Sequence, residues 1–278
     1  MKRVREPIVA GAFYPGTGAS LSETLDRLFE GMARPTTAAL RSPVGLIVPH
    51  AGYLYSGAVA AAGFAELAAQ GRPSSVLVLG ANHTGMGRPL SLSRSGAWRT
   101  PLGEAPIATK LADRLLGNGI ELAEEAFLRE HSIEVELPFL QYLFGSEIPF
   151  VPLAVTLQPL DRLVAAGERI AGAVQGDGVA IVASSDFTHY QPQSVAEGID
   201  RRAIEQIVGL DIPGFYGSLV QEHLSICGGG AIVVLLAAAA CLGLKCPRLV
   251  AYGTSGDVTG DRDAVVGYAS ILVSGGKS

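Results

Sequence analysis

A chain of 278 residues, 48% hydrophobic and only 17% charged, is long enough to bury a large core. Its net charge of −5, with no basic stretch beyond Lys2-Arg3-Val4-Arg5, excludes a nucleic-acid binder, because neutralising phosphates takes clustered Lys and Arg. Three cysteines, Cys227, Cys241 and Cys246, make no disulfide framework and fit a reducing compartment. The low charge also points to surface covered by a partner subunit. The most apolar run, Ala231 to Leu244, falls short of the roughly 20 residues that a bilayer span needs and reads as a buried helix. No apolar core long enough for a signal peptide precedes Pro15, so a cytoplasmic protein that does not enter the membrane is expected.

In chain order, a first helix is predicted from Leu21 to Gly31, opened by Ser20 with Glu23 three residues on, and broken by Arg34-Pro35-Thr36-Thr37. Apolar runs at 44–49, 75–80, 148–155, 179–185, 248–252 and 264–273 then read as buried strands. Helix-like segments fall near 57–70, 106–116, 133–144, 160–174, 195–208 and 229–243. Continuous apolar strands alternating with helices require a sheet covered on both faces. The fold class is α/β, a single domain over 1–278 with a central, mostly parallel or mixed sheet flanked by helices.

The chain has five histidines, and three of them follow predicted strands. His50 ends "VGLIVPH", His83 follows "VLVLGAN", and His189 comes just after "VAIVASSDFT", with Asp186 beside it. Open α/β sheets bind ligands beyond the carboxyl ends of their strands. If these strands are parallel, the three histidines and Asp186 reach one edge and form one site. Imidazole is the commonest protein metal ligand, and two of them need further anionic donors to hold an ion. Cys227, in "SICGGGAIVVLL", stands before a helix, where thiolate is favoured. Two readings stay open for it, a ligand or a small buried hydrophobe. Cys241 and Cys246 are read as buried hydrophobes.

In "EHSIEVELPFLQ", the acidic Glu134 suits the first turn of a helix, and His131 is equally a pocket residue or a cap. His223 has no partner at useful spacing and reads as structural. "YGTSGDVTGDRD" lacks the spacing and terminal Glu of a calcium loop and reads as a turn-rich connection, with Asp257 a candidate for the pocket. There is no phosphate-cradling loop, no Gly-x-Ser-x-Gly elbow and no dinucleotide fingerprint.

Taken together and in order, "REPIVAGAFYPG", "VPHAGYLYSG", "GANHTG", "EHSIEVELPFLQ", "SSDFTHY", "SICGGG" and "YGTSGD…VGYAS" resemble the Memo-like proteins, called component B of the AmmeMemoRadiSam system in prokaryotes. The resemblance runs from Arg5 to Val273. It implies a fold like that of class III extradiol dioxygenases, which are non-haem iron enzymes, and a metal held by His50, His83 and Cys227. Asp186 and His189 match pocket residues, with His189 resembling the dioxygenases' acid/base histidine. It also implies functional association with a radical-SAM protein and an AMMECR-like protein. Where the family often has Pro soon after the Cys-Gly pair, this chain has Gly229-Gly230-Ala231.

The dioxygenases hold iron with two His and a carboxylate, whereas a thiolate softens the site and favours Cu(I), Zn or thiolate-bound Fe(II). The expected cofactor is iron(II) or copper, ahead of zinc. The leading expectation is a metal-dependent redox or dioxygenase-like enzyme acting on a small molecule, with His189 as general base and Asp186 orienting it or the substrate. The alternatives are a non-catalytic copper- or iron-binding protein and a peptide-binding scaffold that uses the same pocket. A zinc hydrolase is the weakest reading, since no Glu stands beside a ligand His as in His-Glu-x-x-His.

Overall fold

The computed structural model describes residues 4–33, 35–94 and 96–275. Lys2, Arg3 and Arg34 lie outside the described residues. All six apolar runs form strands. Val44–Val48, Val179–Ser184, Ser75–Ala81 and Phe150–Val155 lie side by side in that order, all parallel. Every residue of these four strands is buried, which is why their sequences run apolar without alternation. Val265–Ser274 pairs antiparallel outside Val44–Val48, and Leu90–Leu92 antiparallel outside Phe150–Val155. Cys246–Thr254 and His189–Gln191 pair with Val265–Ser274, and Ile120–Leu122 with Leu90–Leu92, making a nine-stranded mixed sheet among the described residues.

Successive side chains of a strand face opposite ways. Leu46, Val48, Val76 and Val78 therefore pack in a core with residues of the helices Gly18–Leu28, Tyr53–Gln70 and Leu137–Phe144. Ile47, Leu77 and Leu79 pack on the other side with residues of Leu160–Val174, Gln193–Val208, Ile212–Gln221 and Gly229–Leu242. The result is a three-layer sandwich.

The first helix differs from expectation. It starts at Gly18, and its cap is Thr17, whose hydroxyl accepts the Ser20 N–H at 3.3 Å. Tyr53–Gln70 begins one turn earlier than predicted, and the segment near 133–144 opens as a 3-10 turn, Glu134–Glu136, before Leu137–Phe144. Ile212–Gln221, capped by the Asp211 carboxylate on the Gly214 N–H, was not expected, nor was the hairpin Ala97–Thr100 and Gly103–Pro106, beside which Val4–Arg5 runs parallel. Cys241 and Cys246 are exposed, not buried, because one ends an otherwise buried helix and the other opens a strand.

Gly229–Leu242 is apolar all round because it is enclosed on every side, with residues from Gly229 to Ala239 buried. Among the described residues no helix is long and apolar enough to cross a membrane. It crosses Leu160–Val174 at Gly167, where a Cβ would lie 2.5 Å from Ala237 Cβ and 2.8 Å from the Val234 carbonyl oxygen. Gly167→Ala should push these helices apart and destabilise the protein by about 1–3 kcal/mol, read as a lower urea midpoint at unchanged slope. An unchanged midpoint would show that the crossing has room to spare.

Candidate metal centre

Three parallel strands each deliver a polar side chain two residues past their last strand residue: His50 after Val48, His83 after Ala81 and Asp186 after Ser184. His131 comes from the loop before Glu134–Glu136, and Cys227 from the turn ahead of Gly229–Leu242. Gly228 lets that turn approach the sheet, since a Cβ there would lie 2.5 Å from the Ser184 carbonyl oxygen.

Two groups of possible ligand atoms result, and His50 belongs to both. His50, His83 and His131 bring one atom each within 4.8 Å of one another, and so do His50, Asp186 and Cys227. The His83 and His131 rings stack at 4.8 Å, and His50 stands edge-on to both. Cys227 Sγ lies 3.3 Å from His50 Nε2 and accepts the Asp186 N–H at 3.2 Å. Asp186 Oδ1 accepts the backbone N–H of His50 at 2.9 Å and of Ala51 at 3.3 Å.

Behind these candidate donors lies a buried carboxylate. Glu130 accepts the backbone N–H groups of His83, His131 and Ser132 at 2.6, 2.9 and 2.9 Å, and its Oε1 lies 2.9 Å from His83 Nδ1. Burial pushes this carboxyl up, but the bond and charge of His83 with the backbone N–H groups bring it down to about 2. An ionised Glu130 can only accept, so His83 Nδ1 carries a proton. Burial lowers the His83 pKa, but the Glu130 hydrogen bond and charge raise it overall, so an ion taken at Nε2 must displace the second proton. Burial, then the charges of His83 and His131, hold His50 well below the ordinary histidine range, as a neutral imidazole.

Burial pushes the Asp186 carboxyl up to about 6. Burial, then the charge of Asp186, also pushes the Cys227 thiol up, overriding the helix N-terminus expected to favour thiolate. A metal that takes this sulfur must displace its proton.

Residues 5–272 match the family described as Memo-like protein. The chain is 42% identical over 276 residues to a MEMO1 family protein of Methanothermobacter thermautotrophicus, covering 96% of this chain and 99% of the relative. It is 43% identical over 272 residues to one from Methanosarcina acetivorans, covering 97% and 99%. The chain belongs to the Memo-like family. In fold it is also similar to an uncharacterized protein of Escherichia coli K12, with a TM-score of 0.59 and 16% identity over 83% of this chain and 99% of that one.

In this Memo-like chain the expected ligands His50, His83 and Cys227 are distributed over the two groups and meet through His50. His189 lies in neither group. Its Nδ1 donates to the Ser225 carbonyl oxygen at 2.8 Å, leaving Nε2 free. Asp186 grips the backbone of the His50 strand end and makes no hydrogen bond to His189 among the described contacts. His131, left open between pocket and cap, is in the pocket. His223 is exposed in a turn, and Asp257 caps the helix Ser255–Thr259 by accepting the Thr254 N–H at 2.7 Å.

Glu130, Ser184 and Glu136 escaped the sequence reading, although the first is adjacent to a histidine already under consideration. The Glu130 carboxyl lies below its ordinary 4.5, so the stability it contributes is complete above that pH and is lost as pH falls toward about 2. Across that window parent stability should fall more steeply than that of Glu130→Gln in acid-unfolding curves. Parallel slopes would place the acid sensitivity on another group.

Proposed function

We propose that this chain binds a transition-metal ion through the Nε2 atoms of His50 and His83, with Cys227 or His131 as third ligand, and acts as a mononuclear metal-dependent redox enzyme on a small molecule. The observation that carries this is the pair of ligand-competent groups joined at His50 beyond the strand ends. The donors fit a metal. Two imidazoles are backed by hydrogen bonds on Nδ1, a ring-orienting arrangement common to metal-binding histidines. The third donor is a sulfur or a third imidazole, a set suited to iron(II) or copper more than to magnesium or calcium.

The bound ion would supply redox and Lewis-acid chemistry at a small substrate. His189 is half-exposed at this edge with Nε2 free, so it can take a proton from a substrate hydroxyl while Ser225 holds its other nitrogen. The Asp186 carboxyl lies close enough to interact electrostatically with His189.

A second reading, metal holding without turnover, is favoured by the thiol at 3.3 Å from His50, a soft donor suited to Cu(I).

Protein purified without oxygen and analysed by elemental mass spectrometry should carry near-stoichiometric iron or copper. His50→Ala should lose it, since it removes the member common to both groups. Cys227→Ala and His131→Ala then show which group supplies the third ligand. Iron with oxygen consumption on adding an organic diol favours the enzyme, and copper held without turnover favours the second reading. A parent that takes up neither Fe(II) nor Cu(I) would overturn both.

A further inference from the structure

A polar chain runs from His50 into the core, and the metal reading uses only its first link, the bond of His50 to Ser184. Ser184 Oγ lies 2.7 Å from His50 Nδ1, 2.7 Å from the Ser132 carbonyl oxygen and 2.8 Å from Glu136 Oε1. Glu136 and Ser184 are both fully buried, and Glu136 Oε2 has no hydrogen-bond partner among the described residues.

A serine hydroxyl has one proton to give and two lone pairs to receive. The Ser132 carbonyl can only accept. If Glu136 were ionised it too could only accept, and two acceptors would compete for the one Ser184 proton. Whichever lost would face the serine oxygen at under 3 Å with no hydrogen between them. An ionised Glu136 would also bury a charge with one bare oxygen, and its nearest polar partner is a neutral hydroxyl. One arrangement meets every contact. Glu136 Oε1–H donates to Ser184, Ser184 donates to the Ser132 carbonyl, and His50 Nδ1–H donates to the second lone pair of Ser184. The bare Oε2 is then an uncharged carbonyl oxygen, far cheaper to bury than half of a carboxylate.

We propose that Glu136 is held as a neutral carboxylic acid and acts as a positioning residue, its proton fixing the Ser184 hydroxyl so that His50 is locked as the Nδ1–H tautomer with Nε2 turned to the ligand groups. Burial pushes the Glu136 carboxyl well above its ordinary range, against the pull of the Ser184 hydrogen bond, and the Asp186 charge adds to the rise. Glu136 is thus the opposite of Glu130, six residues before it. Glu130 is an ionised acceptor that orients His83 directly, and Glu136 is a proton donor that orients His50 through a serine. The consequence for metal affinity rests on the metal reading, but the proton assignment does not.

Two measurements separate the parts. In infrared difference spectra of parent minus Glu136→Gln, the parent should show the C=O stretch of a protonated carboxylic acid. Nitrogen NMR of labelled histidine should show His50 as the neutral Nδ1–H tautomer. A carboxylate band in its place, or a His50 imidazolium, overturns the proposal whatever the metal result. Gln keeps a donor toward Ser184 and Leu removes it. Metal affinity, titrated with Fe(II), should therefore stay within about threefold of parent in Glu136→Gln and fall about 10- to 100-fold in Glu136→Leu. Equal losses in both variants would overturn the positioning role. If the parent binds no Fe(II), the infrared and NMR results still decide the proton assignment.

Discussion

A wholly buried carboxyl group must find its partners within the protein, and this fold is closed around three of them in one seven-residue stretch. Glu130, Glu134 and Glu136 have no exposed surface, and each is satisfied differently. Glu130 takes three backbone N–H groups and a histidine. Glu134 pairs with Arg5 at 2.7 Å and accepts from the backbone of Ile8 and Val9 and from the Tyr14 hydroxyl. Among the described residues Glu136 makes a hydrogen bond with Ser184 alone. The first fixes the His83 loop, the second fastens the N-terminal segment, and the third reaches Ser184 at the end of Val179–Ser184 and, through it, His50. Stripping a partner from any charged member would leave a buried charge uncompensated, typically a loss of about 3–5 kcal/mol. The stretch therefore cannot shift without disturbing the N-terminal segment and two of the parallel strand ends together.

What the sequence shows and what it hides divide along the range of the interaction. Strands buried on both faces must be apolar throughout, so the runs of the four parallel strands and of Val265–Ser274 were legible without any partner. The run 248–252, expected to be buried, lies in Cys246–Thr254, which pairs only with Val265–Ser274 among the described strands and is mostly exposed or half-buried. The parallel order of the four brought His50, His83 and Asp186 to one edge. Strands of three residues, such as Leu90–Leu92, carry too little pattern to read. The helix-dipole explanation of Glu134 was locally sufficient and still missed its partner, Arg5, which is 129 positions away. His131 stayed ambiguous because a histidine before a helix looks the same as a cap or a ligand until the ring stacking with His83 is known. For Cys227 the helix N-terminus was visible, but the burial that outweighs it depends on Gly228 letting the turn close against Ser184. No local pattern reports that contact.

The two ligand groups differ in softness, and His50 stands where they meet. His83 and His131 present two nitrogens of similar character, while Asp186 and Cys227 present a hard oxygen and a soft sulfur whose proton must leave before it can bind. An ion taken by the histidine group must displace the His83 proton, which burial weakens but the Glu130 hydrogen bond and charge hold more strongly. An ion taken by the thiol side must be soft enough for its bond to sulfur to exceed the cost of removing a proton that burial and the Asp186 charge both hold in place. Choice of metal therefore follows from which neighbour of His50 completes the set. The Nε2 of His50 can serve either group only while its Nδ1 stays engaged, because a ring that turned to release Ser184 would present its protonated face to the ion. The hydrogen bond to Ser184 is in this sense the condition for both sites, and it is anchored in the sheet rather than in any loop that could move.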